Sequence, residues 1–360
     1  MNKFIRKFMK QKKIFLIVEF IILLAIILLG CLFVFSGEKE NKNKLEPNNN
    51  NNNNNNQNVE VEDDKKVSIV DINTKSRPYA VMINNISTAR PLQSGLQDAY
   101  LIYEFIVEGG ITRYLALFLD ANTERIGSIR SARHYYLDYA LENDAIYVHH
   151  GKSPQAESDF STLKIDRIEV DNTKTGWRDK SLNVSSEHTL FTNIEKLNSG
   201  IGNKRTTRNN ELLFDYSADA IDLSNQKDAT KANNITIEYS KSIKNSYKYD
   251  EEKQVYKRFI NNKAHKDYVT EEQYTFKNII TYQVKNTTIP GDTYGRQNLD
   301  NIGNGTGYYI TNGYAVKINW EKECRKCQTK YTYLDGSEVV LNDGNTFIQI
   351  QPKDEKLTIS

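Results

Sequence analysis

Residues 77–160 alternate between strand-like and helix-like patterns, and this alternation restricts the possible folds more than any other feature of the sequence. Short runs rich in β-branched and aromatic residues predict three strands, at 79–84, 99–107 and 112–119. The turn Glu108-Gly109-Gly110 between the second and third runs is typical of a hairpin, because glycine reaches the positive φ angles that tight turns need.

The second part of this stretch changes period. Residues 128–142 have apolar side chains at helical spacing, and a further strand is predicted at 145–150. Ser153 and Pro154 then suit the cap and first position of another helix, because proline lacks an amide that would need an intrahelical partner. The order of strands, hairpin and helices predicts a mixed α/β layer domain, with bounds at 67–225.

Basic side chains are placed unusually in this domain. Arg130 and Arg133 fall in the first turn of the helix predicted at 128–142, where the helix dipole disfavours cations. They are explained if they converge with Arg113, Arg125 and Lys152 on an anion near Ser153, since the start of the next helix also attracts negative charge. That anion is either a ligand phosphate or carboxylate, or an acidic side chain of the same domain.

The N-terminal 66 residues carry a membrane-targeting pattern. A basic tip at 1–13 precedes an apolar segment at 14–36, which at about 1.5 Å per residue spans the roughly 30 Å of a bilayer core. The predicted transmembrane helix leaves the tip in the cytoplasm and the rest of the chain outside. In the alternative, residues 28–31 are a lipoprotein signal and Cys31 is acylated. Residues 37–66 are rich in Asn, Glu and Lys and predict a disordered tether.

The pattern over residues 235–352 predicts β structure throughout. Short strand patterns recur over 235–352, and Asn312-Gly313, Asp335-Gly336 and Asp343-Gly344 are typical hairpin turns. The class is therefore α+β, with the N-terminal α/β domain followed by a smaller, mostly antiparallel β domain, and the length suffices for two cores.

The charge balance argues against a nucleic-acid partner. Six of the 48 Lys and Arg residues lie in the basic tip, which leaves 42 against 46 Asp and Glu in the remainder. A nucleic-acid-binding domain carries a basic surface instead.

A series of motifs resembles a known family. The runs Arg77-Pro-Tyr-Ala-Val-Met-Ile-Asn84, Glu108-Gly-Gly-Ile-Thr-Arg113, Gly127-Ser-Ile-Arg-Ser-Ala-Arg133, Gly151-Lys-Ser-Pro-Gln155 and Tyr256-Lys-Arg258 are similar to those of the YerB-type lipoprotein family. The resemblance implies paired N- and C-terminal domains of unknown function on the surface of Gram-positive-type bacteria. It implies no established reaction. The chain departs from the family at Glu187, where members have a proline before the histidine.

Candidate catalytic residues are few. Glu104 and Glu108 stand four apart on a predicted strand and so face one side, where they either divide acid and base roles or neutralise the arginines. His188 is a lone candidate for general acid or base. These residues leave an enzymatic role open, although binding explains the arginines better, and no cofactor is indicated.

The cysteines do not predict a metal site. Cys324 and Cys327 lack the second pair that zinc would need, since Cys31 is the only other cysteine in the sequence. Outside the cytoplasm the two form either a small disulfide or a pair of free thiols.

Three functions are consistent with these patterns. The first is a membrane-bound module that binds an anionic envelope component, such as a cell-wall polymer or a lipid-linked phosphate, through an arginine-rich cleft of Arg113, Arg130, Arg133, Lys152 and Ser153. The second is an envelope hydrolase or transferase that uses Glu104, Glu108 or His188. The third is a scaffold for another envelope protein. All three place the protein at the cell membrane, single-pass or lipid-anchored, with its globular part outside the cytoplasm.

Overall fold

A computed structural model describes residues 66–360. The predicted basic tip, the transmembrane helix or lipoprotein signal with Cys31, and the tether up to residue 65 lie outside the described residues. Within 66–360, every helix is too short or too polar to cross a membrane.

The described chain is mostly β structure with a few helices, which confirms the mixed α and β class. The α-helices of residues 66–360 are α1 (His134–Glu142), α2 (Pro154–Thr162) and α3 (Ile194–Gly200). The strands are β1 (Tyr79–Asn84), β2 (Leu101–Ile106), β3 (Thr112–Phe118), β4 (Ile126–Gly127), β5 (Ile146–His149), β6 (Arg167–Glu169), β7 (Trp177–Arg178), β8 (Leu190–Thr192), β9 (Tyr216–Ser217), β10 (Thr230–Lys231), β11 (Asn234–Ser240), β12 (Ile243–Asp250), β13 (Val255–Ile260), β14 (Lys263–Ala264), β15 (Thr275–Phe276), β16 (Asn278–Val284), β17 (Asn286–Thr288), β18 (Gln297–Leu299), β19 (Gly303–Thr311), β20 (Tyr314–Lys322), β21 (Lys330–Tyr333), β22 (Leu341–Asn342), β23 (Thr346–Pro352) and β24 (Leu357–Ile359).

One 11-stranded sheet joins the two predicted domains. Its order is β10-β20-β19-β16-β23-β2-β3-β1-β5-β6, with β21 paired to β20. Strand β23, near the end of the chain, lies between β2 and β16 and runs parallel to both. The apolar residues of 67–225 and 235–352 therefore share one hydrophobic core instead of forming two.

The central strands of this sheet are buried on both faces. Every residue of β1, β2 and β3 is buried, which explains their nearly continuous apolar sequences. Helix α1 covers one face, where the rings of Phe105 and Tyr136 lie 4.7 Å apart. The second sheet, β14-β13-β12-β11-β24 with β15 paired to β13, covers the other. There Arg258 of β13 meets Glu104 of β2.

Local turn and cap signals are confirmed. Gly109 and Gly110 have φ angles of 69° and 70° in the turn between β2 and β3. The Asn312-Gly313 pair joins β19 to β20 with positive φ at both residues. The Ser153 hydroxyl accepts a hydrogen bond from the amide of Ala156 at 3.2 Å and so caps α2.

The prediction for the start of α1 was wrong. The helix begins at His134, with Arg133 as its cap residue, so neither Arg130 nor Arg133 occupies the first turn. Residues 128–133 are extended because their backbone bonds sideways to neighbouring segments: the amide of Ile129 donates to the carbonyl of Leu190, and that of Arg130 to Met82. These tertiary hydrogen bonds outweigh the helical spacing of the apolar residues.

Candidate functional site

The candidate site lies where two parallel strands of the main sheet end. Strand β1 pairs in parallel with β5, and β5 with β6. Ligands of open α/β sheets bind outside the carboxyl ends of such strands. A group of polar side chains converges there, which we call the strand-end cluster: Asn84, Arg130, His150, Arg178, Glu187 and His188.

Backbone hydrogen bonds fix the cluster in place. The extended segment 128–133 crosses the ends of β1 and β5, because the amide of Arg130 donates to the Met82 carbonyl at 2.9 Å and the amide of His150 to the Arg130 carbonyl at 3.1 Å. A short 3₁₀ turn, Ser186–His188, carries Glu187 and His188 against the other side of this segment. Five separate chain segments therefore supply the cluster.

Among residues 66–360, Arg178 is a cation without an acidic partner. Its guanidinium donates to the carbonyl of Ser186 and, at 3.2 Å, to Nε2 of His150. None of the ion pairs within residues 66–360 includes Arg178, so its charge is balanced there by dipoles and not by a carboxylate.

Arg130 has one weakly held acidic partner. Its Nη2 lies 2.6 Å from a carboxylate oxygen of Glu187, whose side chain is 53% exposed. The Nε of Arg130 is buried and has no hydrogen-bond partner among the described residues. The hydrogen bond from Arg130 lowers the pKa of Glu187, so this acid is ionised at neutral pH.

The two histidines are held as neutral rings in opposite tautomers. His150 has Nδ1 2.8 Å from the Val170 carbonyl, so Nδ1 carries the proton and Nε2 accepts from Arg178. In His188 the Nδ1 atom lies 3.1 Å from the side-chain amide of Asn84, which donates, so its Nε2 carries the proton. Burial lowers the pKa of His188.

Two of the predicted ligand-binding arginines lie elsewhere and are enclosed. Arg113 and Arg133 are only 5% and 7% exposed, and both bind Glu108. Burial acts to raise the pKa of Glu108, but the hydrogen bond from Arg133 and the charges of both arginines bring it down to about 2. The anion that explains these two arginines is thus an acid of the same domain.

The remaining predicted contacts are also separate from the cluster. Lys152 pairs with Glu157 at 2.9 Å and with Glu169 at 3.5 Å. Ser153 is buried, and its hydroxyl caps α2. Of the predicted residues, Arg130 and His188 meet in the strand-end cluster, whereas Arg113 and Arg133 meet at Glu108.

Glu104 occupies a closed network between the two sheets. It is fully buried and lies 2.7 Å from the guanidinium of Arg258, which is also fully buried. Its carboxylate further accepts hydrogen bonds from Thr112, Asn245 and Gln349 at 2.6, 2.8 and 3.0 Å. Glu104 and Glu108 do not share a face, because Glu108 lies in the turn after β2.

The structure shows how the cysteines of the C-terminal part are bonded. Cys324 and Cys327 form a disulfide. The carbonyl of Cys327 accepts a hydrogen bond from the buried ammonium of Lys322, which pairs with Glu142 at 2.6 Å. Within residues 66–360, His, Cys, Asp and Glu side chains form no group suited to hold a metal ion.

Sequence reasoning missed Arg178, Glu187, His150 and Asn84 as members of a site. The available signal was polar side chains at the ends of apolar strands: Asn84 closes β1, and His150 follows β5. Whether these ends lie side by side depends on the strand order of the sheet, which the sequence does not state.

Comparisons with known proteins agree over most of the chain. Residues 67–207 match the family "Protein of unknown function (DUF3048) N-terminal domain", and residues 235–348 match the corresponding C-terminal domain. The chain is 30% identical over 293 residues to "Putative lipoprotein YerB" of Bacillus subtilis (strain 168), which covers 80% of this chain and 85% of that protein. The crystal structure of the YerB protein from Bacillus subtilis is similar to this fold with a TM-score of 0.65 at 27% identity, over 79% of this chain and 94% of that one. The chain therefore belongs to the DUF3048 family, whose members pair these two domains of unknown function.

Proposed function

We propose that this protein is anchored at the outer face of the cell membrane and binds an anionic component of the cell envelope at the strand-end cluster. The observation that carries the proposal is the guanidinium of Arg178, which pairs with no carboxylate of residues 66–360 and belongs, with Arg130, to the cluster at the carboxyl ends of β1 and β5. The anchor is supported by the apolar segment at 14–36 and by the lipoprotein name of the similar Bacillus protein.

The chemistry of the cluster suits a phosphate. A guanidinium presents several N–H groups in one plane and bonds two phosphate oxygens at once. The half-exposed carboxylate of Glu187 occupies Arg130 in the free protein, and a phosphate can displace it because water already solvates much of that side chain. The Nε2–H of His188, 3.7 Å from the same carboxylate, adds a neutral donor.

The test uses the full chain purified in detergent, with polyphosphate as the probe. An Arg130→Gln/Arg178→Gln variant should bind at least about tenfold more weakly, because each charge-assisted hydrogen bond contributes about 1.5–3 kcal/mol. The matched control, Lys75→Gln/Lys330→Gln, removes two exposed cations elsewhere and should keep its affinity. Equal affinities of the cluster variant and the wild type, with both folded by near-ultraviolet circular dichroism, would refute the proposal.

A second function, hydrolysis or group transfer on an envelope polymer, depends on His188. Glu104 and Glu108 are engaged in ion pairs, whereas His188 lies beside Arg130 and Glu187 with its proton on Nε2. This function predicts turnover of wall polymers that His188→Ala abolishes while polyphosphate binding persists. Binding without turnover over a broad panel of wall substrates would contradict this second function and support binding only.

A further inference from the structure

A pocket that shares no residue with the strand-end cluster lies between the N-terminal and C-terminal parts of the described chain. Its volume is about 470 Å³, within the range of small-molecule sites. Two walls come from residues 95–98 and 123–125, and the third from the loop 267–274 between β14 and β15. Because these segments come from both matched domains, the pocket exists only in the assembled protein.

The walls are held rigidly by one buried acid. Asp267 accepts hydrogen bonds from the amide of Gly95 at 2.7 Å and from the hydroxyl of Tyr274 at 2.8 Å. Its other oxygen accepts from the amides of Val269 and Thr270 at 2.8 and 3.2 Å. With both oxygens occupied, Asp267 organises the pocket and is not available to a ligand.

Arg125 supplies the pocket with an incompletely bonded guanidinium. Its Nη1 binds Asp179 at 2.9 Å, and its guanidinium carbon lies 3.7 Å from the ring centre of Phe191. Its Nε and Nη2 are buried and have no hydrogen-bond partner among residues 66–360. The ring of Tyr268, which is 42% exposed, lies over the same guanidinium with its centre 5.3 Å away. A carboxylate matches the two unbonded N–H groups in geometry and charge.

Acidic groups of the same pocket are free to bind a cation. Asp98, Glu124 and Glu272 are exposed, and none belongs to an ion pair within the described part of the chain. The carboxylate of Asp98 accepts a hydrogen bond from the Thr123 hydroxyl at 2.8 Å. The pocket thus offers one cation and several anions across a small space, which excludes a purely anionic ligand such as a polyphosphate.

We propose that this pocket binds a zwitterionic amino acid or short peptide, with the carboxylate at Arg125 and the ammonium at Glu124 and Glu272. The side chains of Val269 and Tyr274 supply apolar contact for a small side chain between the two charged ends. The volume accommodates a dipeptide. This assignment is independent of the strand-end cluster, because Arg125, Glu124 and Glu272 are not members of that cluster.

Titration calorimetry of the full chain tests the assignment with four probes: alanine, alanyl-alanine, its N-acetyl form and its C-terminal amide. Free alanyl-alanine should bind, and either cap should weaken binding by at least about tenfold, the change that 1.4 kcal/mol produces. Comparison of alanine with alanyl-alanine distinguishes an amino-acid site from a peptide site. Equal binding of free and capped peptides, or no heat of binding at millimolar concentration, would overturn the assignment.

Variants locate the site. Arg125→Gln should weaken free alanyl-alanine about tenfold and leave the amide unaffected. Because Arg125 also supports Asp179 and Phe191, Glu124→Gln/Glu272→Gln provides an independent test at exposed positions, which should remove the preference for the free amine. The matched control is Glu251→Gln/Glu252→Gln in an exposed turn. The Arg130→Gln/Arg178→Gln variant should retain dipeptide binding, so failure of the proposed function and failure of this site give different results.

Discussion

Replacement of Arg258 by methionine tests the ion pair that joins the two sheets. Arg258 and Glu104 are both fully buried, 2.7 Å apart, and come from different matched domains. Removal of one partner leaves the other as an unpaired charge in the core, which costs about 3–5 kcal/mol. That is a large share of the roughly 5–15 kcal/mol that stabilises a folded protein.

The double variant Glu104→Gln/Arg258→Met makes this prediction sharper. It removes both charges, while glutamine keeps an oxygen for the amide donors of Asn245 and Gln349. We therefore expect the double variant to be more stable than Arg258→Met alone, with a coupling energy of at least about 1 kcal/mol.

Urea unfolding curves of the wild type, both single variants and the double variant provide the measurement. As a matched control, Lys75→Met breaks an exposed pair with Glu211 and should cost much less, because water screens that pair. A loss below about 1 kcal/mol for Arg258→Met, or strictly additive losses in the double variant, would refute the reasoning.

Three further predictions concern the same fold. Trp177 and Trp320 lie in different matched domains, and one sheet joins those domains. Trp177→Phe and Trp320→Phe each leave a single fluorophore, and both variants should report the same urea midpoint. Two separate midpoints would contradict a shared core. Burial lowers the pKa of His149 to about 4, so between pH values of about 6.5 and 4 only the unfolded chain takes up a proton at this residue. The melting temperature should therefore be highest above a pH of about 6.5 and fall as the pH drops toward 4, and His149→Gln should flatten this dependence. Gly95→Ala should lower the melting temperature more than Gly109→Ala, because both have positive φ but only a Cβ at Gly95 meets a backbone oxygen at 2.5 Å; equal losses would show that the backbone relieves the contact.

Features that depend on a few neighbouring residues could be predicted from the sequence. The turn at Glu108-Gly109-Gly110 and the cap at Ser153 follow from the conformational freedom of glycine and the hydrogen-bonding reach of serine. The family resemblance is confirmed by the two family models and by the 30% identical Bacillus protein. By contrast, the apolar spacing over 128–142 predicted six helical residues too many, because their amides bond to segments distant in the sequence.

The site could not be predicted in the same way. The partners of Glu104 lie 154 and 245 residues away, at Arg258 and Gln349, and nothing near Glu104 identifies them. The sequence indicates that Arg113 and Arg133 need an anion, but only the fold distinguishes Glu108 from a ligand. The place of Arg178 beside His150 likewise depends on the fold.

The position of β23 has a consequence for how the chain can be made. A polypeptide that is made from its N-terminus contains β2 long before residues 346–352, and the place beside β2 stays open until those residues have been made. During that interval six consecutive residues that are buried in the finished fold border an unpaired backbone edge, and such an edge can pair with other chains and aggregate. A chain shortened before residue 346 keeps that edge permanently, so loss of β23 exposes a strand of the first matched domain as well as β16 of the second.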